Sequence, residues 1–208
     1  MRSLTFPRIL RFLLGVCIIQ LGVAFMLQSN IGSDPFTVFV QGLGLTLHIT
    51  TGTANIIVLI VLIIAEFFID KSRIKPGTII CAFFVGPILD VMVFLLKPLH
   101  LSSQIMILKM LFVLFGCFIV GIGLTLITES DLGVAPNDIV PFLVKDKLRV
   151  KYRTARVLMD SLYFVIGLLM HGVIGAGTVI TVLCVGPCVQ FWMDTFEKFH
   201  KKQEKRTA

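Results

Sequence analysis

Gly77-Thr78-Ile79-Ile80-Cys81-Ala82-Phe83-Phe84-Val85-Gly86-Pro87 returns 100 residues later as Gly177-Thr178-Val179-Ile180-Thr181-Val182-Leu183-Cys184-Val185-Gly186-Pro187, with six of eleven positions identical. A second block, Leu10 to Pro35, returns at offset 101 as Leu111 to Pro136, with eight identities in twenty-six. Between these blocks Thr53-Ala54 matches Thr154-Ala155. Two separated blocks at nearly one offset mark duplication of a unit of about half the chain, and such a repeat dictates the architecture. One copy runs over about residues 9–97 and the other over about 105–197, followed by a basic tail at 198–208, all in one domain.

Of 208 residues, 56% are hydrophobic and only 15% charged, and the mean hydropathy is +0.95. A soluble domain carries about 25% charged residues. Runs of about 20 apolar residues match the bilayer core instead. Six such runs occur: Ile9–Leu27, Thr53–Ile69, Gly77–Leu96, Ile105–Thr128, Thr154–Met170 and Gly177–Phe196. They lack the alternation of a barrel strand, so they read as helices. The fold class is an all-α integral membrane protein with six transmembrane helices.

The formal charge of +7 is not a nucleic-acid footprint, because it is sorted by side. With the N-terminus in the cytoplasm, 17 of the 19 Lys and Arg fall in inner segments, leaving Lys97 and Lys109 outside. This positive-inside bias predicts six spans with both termini cytoplasmic. Three spans per repeat make the second copy enter from the opposite face, the inverted-repeat plan of many secondary transporters. Ser29 to Gly52 has no Lys or Arg, whereas Ser130 to Arg153 has five, as inversion requires. The first span has no A-x-A-like cleavage site after it and reads as an anchor rather than a signal peptide. The five cysteines fall inside spans, where they read as small packing residues.

Between the first two spans of each repeat lies a stretch too short to cross, Pro35–His48 and Pro136–Leu148. Each follows the same punctuation: Ser29-x-Ile31-Gly32-x-x-Pro35 and Ser130-x-Leu132-Gly133-x-x-Pro136. Proline fits the first turn of a helix and glycine allows the bend before it. These read as half-helices, re-entrant or interfacial, with Asp34 a candidate cap and Asp138 in the first turn of the second. Their free N–H groups suit an anion or carboxylate. A plug between the repeats is the structural alternative.

Gly86-Pro87 and Gly186-Pro187 lie about ten residues into their helices, about 15 Å deep, where each proline predicts a kink or hinge. The stripe Gly15, Gly22, Gly116 and Gly123 suits close helix packing. Ionisable groups inside a membrane are site candidates by default. Asp90 and Gln190 follow the two kinks at matching positions and are expected to face a central site; pairing of Asp90 with Lys97 or Lys109 is the alternative. Asn55 and Arg156 are repeat counterparts, and Arg156 with Asp160 forms an i, i+4 pair. Glu66 reads as an interfacial ion-pair partner of Lys71 and Arg73. The four histidines have no metal spacing, and no nucleotide-binding or hydrolase motif is present, so neither an enzyme nor a cofactor is implied.

The chain resembles the YczE/YyaS/YitT family of bacterial multi-pass membrane proteins. The likeness rests on Gly32-Ser33-Asp34-Pro35, Gly133-Val134-Ala135-Pro136-Asn137-Asp138, Arg156-x-x-x-Asp160, Gly175-Ala176-Gly177-Thr178 and Gly186-Pro187-Cys188-Val189-Gln190. Members often show an S-P-W-D-like run at the first half-helix. Phe36 and Thr37 replace its Trp and Asp here, while Asp138 keeps the acid in the second repeat. The resemblance implies a multi-pass membrane protein and brings no substrate. The expected function is movement of a small solute or ion by alternating access. A partner or regulator of an envelope or biosynthetic system is the alternative. The lipid bilayer is the expected surrounding, and a homo-oligomer is compatible with the sequence.

Overall fold

Among the described residues, prolines stand in the first turn of four of eight α-helices, and left-handed residues close four of them at matching repeat positions. The computed structural model describes residues 5–207, with side chains described to Lys198; Arg2 and the side chains of the basic tail beyond 198 lie outside the described residues. The helices are α1 (Phe6–Ser29), α2 (Pro35–Leu47), α3 (Thr51–Asp70), α4 (Pro76–Leu96), α5 (Met106–Ser130), α6 (Pro136–Leu148), α7 (Tyr152–Leu169) and α8 (Ala176–Thr207). No strand occurs among the described residues. Proline stands in the opening turn of α1, α2, α4 and α6, where its missing N–H has no intrahelical acceptor to lose. Asn30 and Asp131 end α1 and α5 at φ 54° and 55°, and His48 and Arg149 end α2 and α6 at 56° and 53°. The backbone repeats where the sequence does.

α1, α3, α4, α5 and α8 are long and apolar enough to cross a membrane, so five of the six expected spans meet that measure. α7 does not. Its 18 residues include Arg153, Arg156 and Asp160. Elsewhere the outer surface is apolar, with Phe68 82% and Phe94 73% exposed, a surface suited to lipid rather than water.

α1 and α5 form the centre. A Cβ on Gly22 would lie 2.7 Å from the Gly116 carbonyl oxygen, and one on Gly123 would lie 2.7 Å from that of Gly15. The glycine stripes therefore face one another, and α1 and α5 run antiparallel. Removing side chains here lets the two backbones touch, which gains dispersion contacts that lipid cannot supply. α4 packs on α1 and α8 on α5. Val23, Met26, Leu89, Val113 and Cys117 form one core cluster; Phe12, Val16, Leu59, Cys81 and Ile127 form another.

The half-helices pack across the repeats as well as within them, α2 on α3 and α7, α6 on α7 and α3. Glycines again set the spacing: a Cβ on Gly167 of α7 would lie 2.8 Å from the Phe39 amide nitrogen of α2. The two copies differ at one contact. In the first, α3 and α4 meet where Gly52 touches Gly86 backbone to backbone. In the second, Arg153 stands in place of Gly52, no comparable α7–α8 interface forms among the described residues, and Gly186 has nothing within 4 Å of where a Cβ would sit.

Candidate functional site

Each half-helix entrance is built by one repeat and held by the other. After Asn30, the chain bends through Gly32 at φ +103°, and Asp34 caps α2 by accepting from the Thr37 N–H at 3.1 Å. The second entrance bends through Gly133 at φ +116°, a conformation suited to a residue without Cβ. Ala135 occupies its cap position and offers no side-chain acceptor. Pro35 and Pro136 open the two helices as the sequence predicts. The Gly77 N–H donates to the Leu132 carbonyl at 2.9 Å, and the Gly177 N–H donates to the Ile31 carbonyl at 2.8 Å. The repeated stretch that organises the sequence is thus the clamp on the opposite entrance.

Asp138, in the first turn of α6, does not face the helix end alone. The Arg156 Nη1 donates to Asp138 Oδ1 at 2.9 Å, and Arg156 Nε donates to Asp160 Oδ2 at 3.2 Å. One guanidinium thus bridges a half-helix to its neighbour α7. The three side chains are 41%, 30% and 33% exposed, so the cluster is partly exposed rather than sealed in the core. Asp34 and Asp138 both lie within electrostatic reach of Asp160. Two carboxylates, Asp138 and Asp160, share the one guanidinium of Arg156.

Beside this cluster stands Tyr163 of α7, buried under two rings of α2. Its ring centroid lies 5.3 Å from that of Phe36 and 5.7 Å from that of Phe39. It is 6% exposed and its hydroxyl has no hydrogen-bond partner. Asn55 and Glu66 of α3 are 7% and 1% exposed; the Asn55 Oδ1 and both Glu66 carboxylate oxygens also lack partners. Tyr163 lies within electrostatic reach of Glu66, Asp138, Arg156 and Asp160. Unpartnered polar atoms at this depth are costly.

The expected interfacial pairing of Glu66 is therefore corrected. Arg73 binds Asp70 at 3.0 Å and also Asp146, both nearer the helix end, and Glu66 is left inside. Asp70 stands three residues before Arg73, the closer helical neighbour. Tyr163 was not legible as a site residue, because its companions on α2 are more than a hundred residues away.

Asp90 and Gln190 belong to other groups. Asp90 accepts from the Thr50 hydroxyl at 2.5 Å and from the Gly52 N–H at 2.9 Å, which caps the start of α3. Neither Lys97 nor Lys109 is its hydrogen-bond partner. Gln190 donates to Asp194 at 2.8 Å, one turn along α8. α4 and α8 both continue through Pro87 and Pro187, Gly86 pressed on α3 and Gly186 open. The structure thus gathers Asp138, Arg156 and Asp160, with Asp34 within electrostatic reach of Asp160 and Glu66 within that of Tyr163, and keeps Asp90 and Gln190 in separate hydrogen-bonded groups. No group of three His, Cys, Asp or Glu side chains suited to a metal ion occurs among the described residues. All five cysteines are free.

The uncharacterized protein YyaS of Bacillus subtilis is 24% identical over 194 residues, covering 93% of this chain and 96% of its own. The uncharacterized membrane protein YczE of the same organism is 23% identical over 178 residues, 85% of this chain and 81% of its own. An uncharacterized protein of Haemophilus influenzae is 24% identical over 194 residues, 93% of this chain and 87% of its own. No solved structure matches. Similarity to YyaS and YczE along most of the chain agrees with the motif-based resemblance. The model of the family of unknown function DUF6198 matches residues 6–194, and the chain belongs to that family.

Proposed function

We propose that this membrane protein moves a small polar solute or ion across the bacterial cytoplasmic membrane, by rocking of two inverted repeats about a shared site. The observation that carries the reading is the Arg156–Asp138 bond at 2.9 Å, a charged contact at the mouth of a half-helix, beside the unpartnered Glu66 and Tyr163. In this reading α7 is the sixth span. Its charged face turns toward α2 and α6, and its apolar face, with Val165 and Leu168, turns to lipid. Inversion is supported by the antiparallel glycine contacts of α1 with α5, since these helices are the same element of the two copies. The charge asymmetry of the loops supports cytoplasmic termini. The half-helices then enter the membrane between the repeats, where their first turns face the site.

A second reading, a non-transporting partner or regulator of another membrane system, is favoured by the internal satisfaction of Asp90 and Gln190. Solid-supported-membrane electrophysiology separates the two. Protein in liposomes is screened with small anions, cations, amines and carboxylates across pH, with Asp160→Asn as control. A solute-specific current lost in folded Asp160→Asn supports transport. Absence of current and of tracer flux for every solute, from folded protein, overturns transport in favour of the second reading.

A further inference from the structure

Glu66 is the most deeply buried carboxylate among the described residues, 1% exposed, and nothing donates a hydrogen bond to either oxygen. Its helix packs against α2, α4 and α6, and the turn 71–73 follows it. The charged groups on these elements are nearly all engaged elsewhere. Asp34 caps α2, Asp90 caps α3, Asp138 holds Arg156, and Asp146 is bound by Arg73 and lies 3.8 Å from Lys145. Arg73 is taken by Asp70 and Asp146. His48 ends α2 at the far end of α3, Lys147 and Lys71 stand at helix ends, and Cys81 of α4 is a free buried thiol. The group within electrostatic reach that is also unsatisfied is the Tyr163 phenol.

An ionised carboxylate with no cation and no donor does not persist in such a place; it takes up a proton instead. A metal ion would need several converging oxygens or other ligands, and no such group occurs among the described residues. We propose that Glu66 is a proton-binding site, holding a proton at neutral pH in the arrangement described here and releasing it to water when the packing around α3 opens. The step is simple protonation: the carboxylate gains one proton and one O–H bond, and water takes the proton on release. On the transport reading, on which only this last clause rests, the proton is the coupling ion.

Infrared spectroscopy of the full chain in lipid nanodiscs tests this, with glutamate side-chain carboxyls carbon-13 labelled. Glutamate occurs at positions 66, 129, 197 and 204 alone, so the label separates it from the eight aspartates. The expected result is a protonated-carboxyl band from glutamate at pH 7, lost in Glu66→Gln and unchanged in Glu129→Gln. Gln is an uncharged near-isostere of the protonated acid, so the first variant is expected to fold. Should it not, the Glu129→Gln spectrum still decides, because Glu129 is the other glutamate not fully exposed among those described. No glutamate band at pH 7, or one abolished by Glu129→Gln, overturns the proposal. The spectrum needs no transported solute. Failure of the electrophysiological screen with the band present removes transport and leaves the proton site standing; the reverse pattern removes the proton site alone.

Discussion

The Gly77 N–H donates to the Leu132 carbonyl at 2.9 Å, so the start of α4 in one repeat holds the turn that aims α6 in the other. Just beyond, Gly133 sits at φ +116°, and a Cβ there would lie 2.8 Å from the Lys75 Cβ and 2.9 Å from the Thr78 hydroxyl. Both the backbone conformation and the space exclude a side chain.

Gly133→Ala is accordingly expected to lower stability by about 1–3 kcal/mol, from positive-φ strain plus overpacking. Thermal melts of the purified protein in one detergent provide the comparison. A melting temperature equal to that of the parent would contradict the clamp.

The two Gly-Pro pairs are expected to respond unequally. Gly86→Ala drives a methyl into the Gly52 backbone and costs about 1–3 kcal/mol. Gly186→Ala meets open space and changes stability by less than about 0.5 kcal/mol. Equal losses in the two variants would show that the α3–α4 contact is not what Gly86 serves.

Removing the guanidinium leaves Asp138 and Asp160 facing each other without a cation. Arg156→Met is expected to cost about 1–3 kcal/mol, below the loss for a fully buried pair because the cluster is partly exposed. Adding Asp138→Asn and Asp160→Asn to that variant should recover part of the loss. A triple variant no better than Arg156→Met alone would argue against an electrostatic origin.

Asp90 accepts two hydrogen bonds at the start of α3. Asp90→Ala is expected to cost about 1–2 kcal/mol, the usual worth of a good cap, and Asp90→Asn less because its amide oxygen still accepts from Gly52. An Asp90→Asn variant as destabilised as Asp90→Ala would contradict this capping role.

At the ends of α1, α4 and α5, Asp131 accepts from Lys75 at 2.9 Å and Arg8 at 3.2 Å. The Lys75 hydrogen bond and charge, then Arg8, hold its carboxyl below the usual carboxylate range. A depressed folded value gives stability present above the unfolded pKa of about 3.9 and lost as pH falls through the folded value. The melting difference between the parent and Asp131→Asn should therefore be present at pH 6 and shrink on acidification. A difference that grows in acid would reverse the sign assigned here.

Much of this could be read in the chain because the signals are local. Pro35 and Pro136, with glycines three residues earlier, mark the half-helices to within a residue, since proline and glycine act through their own backbone geometry. The i, i+4 spacing likewise gives the Arg156–Asp160 pair. What could not be read depends on which helices touch. Glu66 and Arg73 look like partners along α3, but Asp70 is closer and Asp146 of α6 completes the set. Asp90 turns to Thr50 because Gly52 lets α3 reach α4, a consequence of two small residues 34 positions apart. α7 carries Arg153, Arg156 and Asp160, too many charges for its composition alone to mark a span, and the partner that Arg156 finds on α6 could not be read from the local sequence.

The reciprocal clamps carry one more consequence. The first copy of the unit holds the Ile31 carbonyl and the Gly77 N–H, which are the two halves of a lock, but they do not meet each other. Each closes on the opposite copy. Expressed alone, either half would have an open donor and an open acceptor that the other half satisfies in the intact chain. The fused chain is in this sense an obligate dimer that carries its own mate, and cutting it between α4 and α5 should yield two fragments that are stable only together.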